Sequence, residues 1–439
     1  MAAADDTEGS ARDAAIGRAA LRKASWRLLP LIGLGYGIAY MDRLNISFAA
    51  LQMNRDLGFS ASVYGLGAGL FFLSYALLEV PSNLMLMRFG ARRWIARIML
   101  TWGLIAAGMM LVRTPTQFYV MRFLLGAAEA GFFPGVVFYL MQWFPAAQRG
   151  RAISRFYVAL PLSSVVMGAI AGTLLDLRGT FGLAGWQWLF AVEGLPAVLL
   201  SVAILIFLPD SPARAKWLRP EERAWIEGRL AADKAALGPP GEQTLRAALF
   251  DPRVWRLGVA NLCMLGAFYA FALSAPAVLA GVTHWGATKV GFLIAVMALL
   301  GATAMVGNGW HSDVSGERHW HLAIPMTLAA VAFVVIGTAS APLIVIAAYG
   351  LVVICTNAVQ AIFYLIPSDV LEGRAAAVGV AAIGSIGMIG AFLGPAAWGL
   401  AKDHTGSFQA GLLFLPLPCL VTIAMVFLVR RAGRKPLLP

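Results

Sequence analysis

The sequence predicts an all-α membrane protein: twelve transmembrane helices in two bundles of six, with both termini cytoplasmic. Three observations predict it. Of 439 residues, 60% are apolar and only 13% charged, and a mean hydropathy of +0.76 lies far outside the range of soluble domains. Crossing a bilayer takes about 20 mostly apolar residues. Twelve runs of that kind stand near residues 27–50, 62–87, 93–112, 116–144, 152–175, 186–208, 254–281, 288–309, 320–339, 342–366, 375–401 and 408–430. Third, the 34 Lys and Arg residues, source of the net charge of +12, fall mainly on alternate connections and at the two ends of the chain. The exceptions are Arg55, Arg113, Arg178, Lys289 and Lys402 on the other side, and Arg43 and Arg122 inside runs. This is the positive-inside pattern of membrane topology, so the basic balance implies no nucleic-acid partner.

Taken in order, residues 1–26 are polar and Ala-rich, with no apolar core leading to a small-residue cleavage site. They read as a cytoplasmic tail, and the first run stays as an anchor. The first bundle covers 27–208. Between its second and third runs lies "NLMLMRFGAR", where Gly90 permits a sharp turn and Arg88 and Arg92 can latch neighbouring helix ends. Residues 209–253 form the longest polar stretch. There Pro220, Glu221 and Glu222 suit the first turn of a helix, and Trp225, Ile226, Arg229 and Leu230 give it an apolar edge, so a short amphipathic helix is expected along the cytoplasmic face, or simply a solvated linker. The second bundle covers 254–430, and 431–439 is a tail. Its corresponding loop, "GWHSDVSGER", repeats the Gly-then-base pattern with Gly316 and Arg318 and adds Asp313.

Cys263, Cys355 and Cys419 fall singly in apolar runs, which suits packing and no disulfide or metal. The five histidines lie in loops or at helix ends. With no HExxH, Walker loop or paired CxxC, neither an enzyme nor a cofactor is expected.

The chemistry-bearing residues are those that membrane insertion should exclude. A charge at the centre of a span costs about 2.5–3.5 kcal/mol on insertion scales, so it usually faces a wet path and has a partner. Asp42 and Arg43 are adjacent in the first run, and on a helix adjacent side chains point about 100° apart, so each seeks its own partner. Arg122 and Glu129 stand seven residues apart in the fourth run, on one helix face. Glu79 lies nearer a membrane surface. Ion pairs that only pin helices together are the plain alternative, yet such pairs can often be replaced by apolar packing with little loss. An Arg offers a permanent planar fork for a carboxylate, whereas a buried acid titrates according to its surroundings. In the second half, Tyr269 and Ser274, Asn357, Gln360 and Tyr364, and Ser385 serve core packing as readily as substrate contact. Gly384, Gly387, Gly390 and Gly394 form a bare helix face suited to close helix approach or to leaving room for a ligand.

"YMDRLNISFAA", "EVPSNLMLMRFGARRW", "RFLLGAAEAGFFPG" with "WFP" following, "GLAGWQWLFAVEGLP" and "GWHSDVSGER" together resemble the major facilitator superfamily. More narrowly they resemble its anion:cation symporter family, especially bacterial tartrate-type and hydroxyphenylacetate-type members. The resemblance implies a proton-coupled symporter that imports a small organic carboxylate, a tartrate-like hydroxy acid, sugar acid or aromatic acid, as a monomer in the bacterial inner membrane. It implies proton coupling by Asp42 and Glu129, carboxylate binding by Arg43, an Arg122 that pairs with Glu129 or with the anion, and a Tyr40 that lines the cavity. The chain departs from tartrate-type members by lacking amides near Gly384 and Met388 and an aromatic near Ser274, which argues for a less hydroxylated acid. It also lacks the usual acid near Met87, and with it that loop's salt-bridge latch. The competing functions are a proton-antiporting exporter of amphipathic compounds and a non-transporting membrane sensor.

Overall fold

The computed structural model describes residues 2–237, 250–371 and 373–431. It contains α1 (Ala2–Leu57), α2 (Ala61–Phe89), α3 (Ala91–Gly108), α4 (Pro115–Glu129), α5 (Phe132–Met141), α6 (Ala146–Tyr157), α7 (Ala159–Asp176), α8 (Gly185–Phe207) and α9 (Pro220–Leu237). After the connection come α10 (Pro252–Thr283), α11 (Ala287–Ser315), α12 (His319–Thr338), α13 (Pro342–Phe363), α14 (Ile366–Val370), α15 (Gly373–Thr405), α16 (Gln409–Phe414) and α17 (Pro416–Arg431). The expected tail at 432–439 and residues 238–249 of the connection lie outside the described residues.

Among the described residues, eleven helical segments are long and apolar enough to cross a membrane. They coincide with the second to twelfth runs. The first run does not reach the same apolarity, because Asp42, Arg43 and Asn45 dilute it, and it forms the middle of the much longer α1. The stretch expected as a tail is therefore helical and continuous with that run. Ala20 and Ala24 are fully buried, Trp225 of α9 lies against Gly17, and Lys23 Nζ donates to both carboxylate oxygens of Glu222 at 2.7 and 2.8 Å. Burial pushes the Glu222 carboxyl up, but the Lys23 ammonium and the N–H of Arg219 outweigh it and hold the group below the usual carboxylate range. The clasp thus contributes above the ordinary carboxylate range and is lost as pH falls through the lowered value.

Local chemistry sets the helix boundaries. Ser60, Thr114 and Asp251 cap α2, α4 and α10 with side-chain oxygens, and Pro115 and Pro252 occupy first turns, where their missing N–H costs nothing. The fourth run is broken after Glu129: Gly131 takes φ 84°, which favours glycine, and α5 restarts the helix at an angle. Of the glycine stripe on α15, Gly390 and Gly394 lie against backbone carbonyls of α10 and Gly387 against Asn261, whereas a methyl at Gly384 would meet nothing within 4 Å among the described residues. Close approach is what three of the four provide, and Gly384 borders open space.

α2 runs along α15 and α7 along α11, with α1 and α10 also in contact. Both long contacts are tied at one end of the molecule. Asp403 accepts hydrogen bonds from the N–H groups of Ala61 (2.9 Å) and Ser62 (2.8 Å) at the start of α2, and Thr288 donates to Asp176 at 2.9 Å. Two otherwise orphaned helix-start donors are thereby satisfied from another helix. Replacing Asp403 by Ala should lower stability by about 0.5–2 kcal/mol, as loss of an N-terminal cap does, and Asp403→Asn should retain much of it; thermal unfolding of the detergent-purified protein reads both.

Candidate functional site

The four charges expected inside the membrane come together. Asp42, Arg122 and Glu129 are fully buried and Arg43 is 8% exposed. Arg43 Nε and Nη2 donate to Glu129 Oε1 at 3.0 and 2.6 Å, while Glu129 Oε2 is buried with no hydrogen-bond partner among the described residues. One oxygen is held by the cation and the other is bare, so the carboxyl has a defined place to carry a proton. The guanidinium of Arg43 also lies 5.1 Å from the ring centroid of Tyr75 and 5.7 Å from that of Phe71, at cation–π range.

Asp42 does not pair with its neighbour Arg43. It turns to α3, where the Trp102 indole N–H donates to Oδ2, and to Asn45, whose Nδ2 donates to Oδ1 at 3.2 Å. The helical twist between adjacent residues thus sends an acid and a base to different partners. Arg122 reaches neither acid directly. Its Nε and Nη2 point at the carbonyls of Gly67 and Ala68 at 3.4 and 3.3 Å, its plane faces Phe71 at 5.0 Å, and Nη1 is buried without a partner among the described residues. This depends on α4 lying close on α2, which Gly126 permits: a methyl there would sit 2.1 Å from the Phe71 carbonyl oxygen. Arg122 remains in the electrostatic field of both Asp42 and Glu129.

Among the second-half candidates, Tyr269 is 5% exposed, stacks near Phe72 at 4.2 Å between centroids, and faces Arg43. Tyr40 is likewise buried in the field of Tyr269 and Arg43. Tyr364, at the end of α13, is 41% exposed and lies in the electrostatic field of Tyr269, Tyr157 and Glu79. Asn357 instead donates to the Val353 carbonyl of its own helix at 2.8 Å and packs on Gly301 of α11. Ser385 is half-buried on α15.

The loop residues lie apart from the cluster. Gly90 turns the chain at φ 87°, Arg88 stacks on Phe89, and the Arg92 N–H donates to Asp210 at 3.3 Å. Asp210, which also pairs with Arg214 at 3.0 Å, supplies from the end of α8 the acid missing near Met87. In the second loop Gly316 is left-handed at φ 65° and Arg318 pairs with Asp313 at 2.5 Å. Trp102, Asn45, Tyr75 and Glu193 were not foreseen. For Glu193 a signal was present, an acid within an apolar run; Trp102 carried none.

Two buried acids and two arginines are thus gathered in the interior of a multi-helix membrane protein. The Major Facilitator Superfamily model matches residues 32–395, and the chain belongs to that superfamily. It is 45% identical over 411 residues to a protein of Agrobacterium vitis named for tartrate transport, covering 93% of this chain and 94% of that one. It is 38% identical over 409 residues to the quinolone resistance transporter of Acinetobacter baumannii, with 93% and 94% covered. The crystal structure of a bacterial homologue of the human lysosomal transporter Spinster, inward-facing and unoccupied, superposes with a TM-score of 0.79 at 16% identity, over 93% of this chain and 97% of that one.

Glu129→Gln strips Arg43 of its counter-ion inside a desolvated pocket and should cost about 3–5 kcal/mol. Adding Arg43→Met should recover a large part. A double-mutant cycle on thermal unfolding measures the coupling, and simple additivity would show that the two side chains do not depend on each other.

Proposed function

We propose that this chain is a proton-coupled symporter that imports a small organic carboxylate by alternating access. The observation that carries this reading is the Arg43–Glu129 pair: a permanent cation held by an acid whose second oxygen is bare. Protonation of Glu129 removes its charge and frees the guanidinium fork for the carboxylate of a substrate. Anion binding and proton uptake are then linked, because Arg43 exchanges one carboxylate for another only when the first is neutralised. Asp42, on the same helix but facing Trp102 and Asn45, is the second proton carrier, and Arg122 adds a donor through Nη1. Tyr40, Tyr269, Tyr364, Asn357 and Ser385 are the proposed substrate contacts. Arg88, Gly90, Arg92, Asp313, Gly316 and Arg318 are the proposed gate elements.

In this reading α1 supplies the twelfth span. Residues 27–208 and 254–430 form two six-helix bundles built from inverted repeats, and the chain works as a monomer with both termini cytoplasmic. The end tied by Asp403 and Asp176 then faces outside, and the end bearing Glu79, Tyr157 and Tyr364 faces the cytoplasm. Relatives named for tartrate transport support a carboxylate cargo. The rings of Phe71, Tyr75 and Tyr269 around Arg43 suit an acid with an apolar or aromatic body.

A second reading, a proton-antiporting exporter of amphipathic compounds, is favoured by the 38% identity to the quinolone resistance transporter. Against it, Arg43 would repel a cationic drug.

In proteoliposomes, adding the correct acid from a panel of hydroxy acids, sugar acids and aromatic acids should alkalinise the outside, faster at lower external pH. Asp42→Asn and Glu129→Gln should each abolish accumulation driven by a pH gradient, and its retention in both would overturn the coupling assignment. Arg43→Lys keeps the charge but loses the fork. It should weaken the apparent affinity by about 10- to 100-fold, the equivalent of one charged hydrogen bond, read as KM in the same vesicles; altered drug resistance without uptake of any acid would favour the exporter.

A further inference from the structure

A third acid lies buried beside the cluster and has no part in the scheme above. Glu193, on α8, is 3% exposed, and neither of its carboxylate oxygens has a hydrogen-bond donor among the described residues. α8 crosses α3 closely at this level, with Gly194 against Gly103, so Glu193 and Trp102 flank one crossing point. From α1, the side chain of Asn45 faces Glu193, with Asp42 behind it. Asn45 is 1% exposed; its Nδ2 donates to Asp42 Oδ1, and its own Oδ1 has no donor among the described residues.

This arrangement is a matter of counting hydrogens. If Glu193 were ionised, three buried acceptor atoms would stand bare around one amide, and two carboxylates would face each other with no cation between them. The charged groups facing Asp42 are Glu129 and Arg122, and the one facing Glu193 among the described residues is Asp42. An unpaired buried carboxylate is among the costliest groups a protein can hold. A single proton on Glu193 resolves most of this: the O–H becomes a donor, and Asn45, whose side chain faces it, has a bare Oδ1 able to accept.

We propose that Glu193 is a neutral carboxylic acid whose O–H donates to Asn45 Oδ1, and that it acts as a positioning residue: it fixes the amide so that Asn45 Nδ2 always points at Asp42. The chain Glu193, Asn45, Asp42, Trp102 then sets how readily Asp42 takes up and gives up its proton. The functional half of this inference rests on the reading of Asp42 as a proton carrier; the protonation of Glu193 does not.

Two measurements separate the halves. Infrared difference spectra of the purified full-length protein at neutral pH should contain a protonated-carboxyl carbonyl band that persists in Asp42→Asn and vanishes in Glu193→Gln; a band absent from the wild type, or unaffected by Glu193→Gln, overturns the proposal. In vesicles, Glu193→Leu, which leaves Asn45 free to turn, should move the pH midpoint of uptake toward alkaline pH by about half a unit to one unit, the equivalent of one lost hydrogen bond to Asp42. Glu193→Gln, whose amide N–H donates to the same oxygen, should keep the wild-type midpoint. A midpoint that stays fixed in Glu193→Leu, or shifts equally in both variants, overturns the positioning role. Absence of carboxylate uptake in the wild type sinks the transport reading, and the infrared result still decides the state of Glu193.

Discussion

The organisation of this molecule depends on a desolvated ion pair, Arg43 with Glu129. Alone in a membrane interior either charge would be prohibitive, and together they are tolerable only in good geometry. That geometry is set by backbone features. The break after Glu129 at Gly131 ends α4 at the acid, and the close packing of α4 on α2 through Gly126 brings Phe71 and Tyr75 beneath Arg43. Because the pair is strong only while both members are ionised, a proton can undo it. This makes a structural contact available as a switch.

The adjacent Asp42 and Arg43 divide the surroundings between them. Asp42 faces α3 and is held by neutral donors, Trp102 there and Asn45 on its own helix, whereas Arg43 faces α2 and α4, where its partners are aromatic rings and an acid. The acid and the permanent cation thus sit in unlike environments less than one helical turn apart. In the proposed scheme, proton and anion therefore bind at separate groups that share one rigid element.

The main spans and the four central charges were legible in the sequence because both rest on strong, local costs: about 20 apolar residues per crossing and an insertion penalty for each charge. Glu193 obeyed the same rule. The first run was legible as apolar, but not as the middle of α1, since the partners of its leading stretch, Trp225 beside Gly17 and Glu222 beside Lys23, stand about 200 residues further along in α9. Trp102 could not be singled out, as an indole suits an apolar span whether or not its N–H has a partner. Asp210 escaped because the acid that meets Arg92 lies more than 100 residues further along the chain. Among the second-half candidates, amide and hydroxyl groups that can satisfy themselves on their own helix, as Asn357 does, leave no pattern that separates packing from ligand contact.

The clasp between Lys23 and Glu222 has a consequence for biosynthesis. The two residues are 199 positions apart, so the ribosome completes six apolar runs before the acid that covers Lys23 has been made. Chains are made from the N-terminus onward, and during that interval Lys23 lacks its acid and Gly17 the indole that later lies against it. Closure of α9 onto α1 therefore marks the completion of the first half during translation. A chain stopped at residue 208 would contain all six runs and still lack the piece that fastens its beginning.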